Sequence, residues 1–87
     1  MIVRILAEGQ YDLEGPTLHE LKLLDQRLFA AVAGSDPAEY RAAFDDVLAL
    51  VRSGRRIPDE QLTESDLALP AADTDLAGAR RLFTPEG

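Results

Sequence analysis

The chain opens with a dense apolar run, Ile2-Val3-Arg4-Ile5-Leu6, rich in β-branched side chains. Strand alternation puts Ile2 and Leu6 on one face, Val3 and Ile5 on the other. A strand apolar on both faces belongs in the middle of a sheet or between two layers. Glu8-Gly9 reads as a tight two-residue turn, and Gln10-Tyr11-Asp12-Leu13 as the returning strand. That loop length sets Leu6 opposite Tyr11, with Leu13 on their face. Residues 1–13 are therefore expected to form a β-hairpin.

From Pro16 the period changes. Leu18, Leu21, Leu24, Leu28 and Val32 recur at helical spacing, with Phe29 beside them. Pro16 suits the first helical position and Gly34 the position past the end, which predicts a helix over 16–34. Asp36-Pro37-Ala38-Glu39 then reads as a cap, a first helical residue and a capping-box partner. Tyr40, Ala43, Phe44, Val47, Leu50 and Val51 form the stripe of a second helix over 37–53, stopped by Gly54. The short Gly34-Ser35 link makes the two helices an antiparallel hairpin.

After Arg56 the pattern weakens. Ile57-Pro58-Asp59-Glu60 reads as a turn. Asp66-Leu67-Ala68-Leu69, ended by Pro70, is a short strand placed to flank the first one. Asp73 or Thr74 caps a short last helix carrying Leu76, Ala79, Leu82 and Phe83, followed by the tail Thr84-Pro85-Glu86-Gly87. The expected fold is α+β: a small antiparallel sheet, made of the N-terminal hairpin and a short third strand, packed on an antiparallel helical hairpin, with a short C-terminal helix.

Composition narrows the chemistry. With 87 residues the chain is expected to form a single domain, 1–87. There is no cysteine, so disulfides and thiolate chemistry are excluded. A formal charge of −7 repels phosphate backbones and argues against a nucleic-acid partner. The N-terminus has no long apolar core of a secretory signal, and no stretch approaches the roughly 18 apolar residues of a membrane span. The expected compartment is the cytoplasm.

His19 is the lone histidine. Its neighbours at three and four residues are Gly15, Pro16, Lys22 and Leu23, none of which supports catalysis. Asp45 and Asp46 are adjacent on a helix, so their side chains diverge. Asp73-Thr74-Asp75 lacks the spacing of a calcium loop and reads as a helix cap. Asp25 edges the first helix's apolar stripe, where it either reaches solvent or pairs with an arginine such as Arg41. No phosphate loop or nucleophile elbow occurs. No catalytic, cofactor-binding or metal-binding residue is assigned.

Two arginine groups remain, Arg52/Arg55/Arg56 and Arg80/Arg81. They read either as helix-dipole compensation or as a basic spot for an acidic helix or anionic phospholipid. Glu8-Gly9-Gln10-Tyr11 reads as a turn with a packed tyrosine, or as part of a contact surface. A small domain whose first strand is apolar on both faces also invites a second layer from another copy or a partner. The candidate partner-binding residues are therefore Val3, Ile5, Glu8, Gln10, Tyr11, Arg52, Arg55 and Arg56.

Two segments, Arg4 through Tyr11 and Ser65 through Pro70, together with a Leu-rich and then an Ala-rich helix, resemble the PspA-associated protein family, PspAA. The likeness runs from Met1 to about Phe83. The family's first turn reads Gly-Glu-Gly-Gln-Tyr, and here Ala7 replaces the first glycine, so a special backbone angle at position 7 does not carry over automatically. The resemblance implies a small bacterial or archaeal cytosolic protein acting with phage-shock protein A, a long helical membrane-remodelling protein of the envelope-stress response. It implies a non-enzymatic interaction module, and membrane contact only through that partner at the inner face. The residues alone leave three other readings: a small DNA-binding regulator resting on Arg52–Arg56, a stand-alone oligomeric scaffold, and an enzyme or metal binder built on scattered carboxylates.

Overall fold

In a computed structural model the chain is described over residues 1–83. The expected tail, Thr84 to Gly87, lies outside the described residues, as do the side chains of Leu82 and Phe83. The strands are β1 (Ile2–Ile5), β2 (Gly9–Asp12), β3 (Arg55–Ile57) and β4 (Leu67–Leu69). The helices are α1 (Pro16–Ala33), α2 (Pro37–Arg52) and α3 (Leu76–Phe83). A single 3₁₀ turn covers Asp59–Gln61. The architecture is α+β: one sheet in the order β3-β2-β1-β4, with α1 and α2 packed together and α3 against them.

β1 is central, as its two apolar faces suggest. β4 does flank it, but in parallel, with Val3 beside Leu67 and Ile5 beside Leu69. The sheet is therefore mixed. A fourth strand, β3, pairs antiparallel with β2 across Gln10–Ile57 and Tyr11–Arg56. Its residues were expected at a helix end and in a turn. Pro58 and Pro70 stop β3 and β4 after three residues, which keeps both sheet edges short.

The hairpin register also differs. Ile5 stands opposite Gly9 and Val3 opposite Tyr11, so the connection is Leu6-Ala7-Glu8, one residue longer than expected. Ala7 makes it possible by taking φ +67°, the left-handed conformation ordinarily left to glycine. An odd slip in register moves every side chain of β2 to the other face. Tyr11 and Leu13 thereby join Val3 and Ile5 on the core face, and Leu6 is left out, 44% exposed.

The helices follow local rules. α1 and α2 each begin with proline at the first position. The Asp36 carboxylate caps α2 by accepting from Glu39 N–H at 3.1 Å. The Glu39 side chain does not reach back; it accepts from Arg27 Nε at 2.6 Å and ties α2 to α1. α1 ends where expected, but the left-handed residue is Ser35 at φ 54°, while Gly34 stays helical. The Asp36 N–H to Ala31 carbonyl and Ser35 N–H to Val32 carbonyl bonds complete a Schellman turn. The cap of α3 is Asp75, whose Oδ1 accepts from Gly78 N–H at 2.8 Å, where Asp73 or Thr74 was expected.

Between sheet and helices lies one buried cluster, with Val3, Ile5, Tyr11, Leu13 and Leu69 facing Leu21, Leu28, Val32, Phe44, Val47 and Val51. Tyr40 stacks on Phe44 at 5.5 Å, and its hydroxyl donates to the Thr74 carbonyl at 2.5 Å, anchoring the approach to α3.

Candidate functional site

The turn between β1 and β2 presents Glu8 to the end of α2. Arg52, in the last turn of α2, holds the Glu8 carboxylate with two hydrogen bonds, Nη2 to Oε1 at 2.6 Å and Nε to Oε2 at 2.8 Å. Such a bidentate fork is the strong form of the arginine–carboxylate contact. Tyr11 O–H donates to Glu8 Oε2 at 2.8 Å. Arg56, from β3, lies over the Tyr11 ring at 5.5 Å and donates to the Glu8 carbonyl at 3.1 Å. Gly9 leaves room for it, since a Cβ there would sit 2.6 Å from Arg56 Nη2.

The electrostatics follow from these contacts. Hydrogen bonding to Arg52, reinforced by Tyr11, holds the Glu8 carboxyl down at about 2, against the opposing effect of its partial burial. Burial and the neighbouring Glu8 carboxylate push the Tyr11 phenol up. The cluster is a fixed electrostatic clamp. Its carboxylate accepts three hydrogen bonds and is held ionised, which makes it a weak base for proton transfer at neutral pH.

The eight residues expected at a contact thus separate. Glu8, Tyr11, Arg52 and Arg56 are brought together at one end of the sheet. Arg55 stands next to them and reaches Asp12 at 3.3 Å. Val3 and Ile5 do not form a face for a second layer: both are 0% exposed, covered by this chain's own helices. Gln10 is also 0% exposed and makes no outer surface. It stands opposite Arg4 and Ile57, on the sheet face away from the helices. There its Nε2 donates to the Thr63 carbonyl and to Ser65 Oγ, at 2.5 and 2.8 Å, and its Oε1 accepts from Thr63 N–H at 3.1 Å. The amide acts as a peptide-like partner that pins the loop after β3 across the back of the sheet. The second layer that the sequence called for is supplied from within the chain.

The basic spot changes in character as well. Arg52, Arg55 and Arg56 each pair with an acid of the same chain, Glu8, Asp12 and Asp59. Arg41 pairs with Asp45 and Arg27 with both Glu39 and Asp46, so Asp25 receives neither arginine. Arg80 donates to Ser35 Oγ at 2.8 Å. His19 is exposed on α1. Among the described residues no group of three or more His, Asp or Glu side chains is placed to hold a metal ion. No helix among them is long and apolar enough to cross a membrane.

One feature escaped the sequence reading. A groove of about 370 Å³ opens beside α1, lined by Met1, Leu18, Leu21, Lys22, Asp25 and Leu67. The four α1 residues stand at i, i+3, i+4 and i+7, a spacing visible in the chain. That their flank stays uncovered depends on where β4 docks.

The family model for PspAA, PspA-associated protein, matches residues 1–87, the whole chain. No curated protein and no solved structure matches the chain significantly. The match spans both segments that carried the resemblance, the β1–β2 turn that builds the Glu8 clamp and the strand β4 that closes the sheet. The chain belongs to the PspAA family of PspA-associated proteins.

Proposed function

We propose that the chain is a non-enzymatic interaction module that acts with a phage-shock protein A homologue in the envelope-stress response. The observation that carries this reading is the family match over residues 1–87. The clamp of Glu8, Tyr11 and Arg52 fits it, because it builds a rigid, charged end on the molecule. The polar contact proposed for the partner is that end, with Arg55 and Arg56 at its rim. Attachment to the inner face of the membrane then runs through the partner. The DNA-binding reading loses its one support, since Arg52, Arg55 and Arg56 are already paired with carboxylates.

The test is co-purification of this chain with the phage-shock protein A homologue encoded by the same organism. The expected result is a complex that survives gel filtration and weakens when Arg55→Glu reverses the most open charge of the rim. Two separate peaks at micromolar concentrations of both proteins would sink the reading.

A further inference from the structure

The groove beside α1 has the form of a socket for a helix side chain. Leu18, Leu21, Lys22 and Asp25 are the four corners of one α-helical surface hole, the kind a knob from a facing helix fills. Met1 and Leu67 close its far side, so the floor is apolar. One turn beyond Asp25, Phe29 stands out from α1, 60% exposed. Such a ring, uncovered next to an empty apolar hole, is a knob without a hole. Leu18, Lys22, Asp25 and Phe29 lie on one flank of the helix, over about 16 Å of its length.

Read along the helix, that flank runs apolar, basic, acidic, apolar. The order is its own complement when reversed. An antiparallel second copy brings Lys22 of each chain toward Asp25 of the other and carries each Phe29 to the other's Leu18–Leu21 groove. We propose that the α1 flank is a two-fold homodimer surface, with Phe29 of one copy seated in the groove of its partner. A two-fold interface requires this self-complementarity of one patch.

Other observations agree. Neither Lys22 nor Asp25 has an ion-pair partner among the described residues, whereas Arg27 and Arg41 on the two helices are paired within the chain. Partial burial against the apolar groove pushes the Asp25 carboxyl up, the condition of a carboxylate lacking a cation. The adjoining sheet edge does not invite an extended peptide instead, because β4 is three residues long and Pro70 supplies no N–H. The charge of −7 opposes association of two copies, but at physiological salt it is screened beyond about 8 Å. The close Lys22–Asp25 contacts survive that screening. This surface is independent of the clamp end proposed above for the other partner.

Sedimentation equilibrium on the full chain, as a concentration series at physiological salt, tests the proposal. The expected result is a monomer–dimer equilibrium. Phe29→Ala raises the dissociation constant about tenfold or more. Lys22→Glu and Asp25→Lys each set like charges face to face twice and weaken the dimer by a similar factor. The double variant, Lys22→Glu with Asp25→Lys, restores association. All three positions are at the surface, and unchanged far-UV circular dichroism verifies that each variant folds. A monomer throughout the series overturns the proposal, as does a dimer indifferent to Phe29→Ala or unrescued by the charge swap. A groove kept for a helix of another protein would give the first of these results.

Discussion

Arg52 and Glu8 are 44 positions apart in the chain, yet they are joined by two hydrogen bonds of 2.6 and 2.8 Å. The pair closes the β1–β2 turn onto the end of α2 and so fixes the hairpin relative to the helices. A double-mutant cycle with Glu8→Gln and Arg52→Ala is expected to give a coupling of about 0.5–1 kcal/mol, the scale of a well-formed surface pair. A coupling of zero would make the contact an idle one.

The same pair sets an acid limit. The Glu8 carboxyl lies at about 2 in the folded chain, held there chiefly by Arg52, against an ordinary value of 4.5. Its folded value is depressed, so the stability it lends is complete above about pH 4.5 and disappears as pH falls toward 2. Solvent screening at this partly open site reduces the effect to about 1 kcal/mol. Urea titrations at pH 7 and pH 3 should show a smaller loss for Arg52→Ala than for the parent chain. Equal losses would show that other carboxylates dominate.

Ala7 holds a left-handed conformation at φ +67°. An L side chain there costs about 1–2 kcal/mol, part of which glycine returns as greater freedom of the unfolded chain. Ala7→Gly is expected to stabilise the fold by up to about 1 kcal/mol, which in a domain of this size is a rise in Tm of about 4–8 °C. Thermal melts by circular dichroism decide it, and an unchanged or lower Tm would mean the turn tolerates alanine without strain.

Gln10→Ala removes the amide that satisfies both backbone groups of Thr63. Leaving them unpaired and opening a gap under the loop should cost about 2–4 kcal/mol. Hydrogen exchange would speed up first around Thr63 to Ser65. If protection there is unchanged, the loop is held by something other than Gln10.

Gly54 has no room for a side chain, because a Cβ would press on the Leu13 side chain and lie 2.8 Å from the Asp12 carbonyl oxygen. The link from α2 into β3 has to lie flat on β2. Gly54→Ala is expected to cost about 1–3 kcal/mol through this crowding. A urea midpoint equal to that of the parent would refute the close approach.

Much of the helical half was legible because its signals are local. Pro16, Pro37 and Asp36 mark helix starts by their own covalent geometry and hydrogen-bonding chemistry, and the Leu, Val and Phe spacing within 18–32 and 40–51 names the buried faces. The Glu8–Tyr11 segment drew attention as a candidate, and four of the eight candidate residues do meet there. Val3, Ile5 and Gln10 were misplaced, since composition shows that a strand wants cover without showing which segment provides it.

The sequence by itself determined the two long helices, their antiparallel pairing, a central apolar first strand and the absence of cysteine chemistry. Each follows from short-range periodicity or from residue type. The tertiary structure alone decided the hairpin register, the existence of β3, the parallel docking of β4, the acids that Arg27, Arg52 and Arg55 take and the groove left open beside α1. Apart from the hairpin register, those outcomes depend on contacts between residues a dozen or more positions apart. Strands of three or four residues carry too few side chains to specify a register, and an arginine's long reach lets neighbours in space choose its partner.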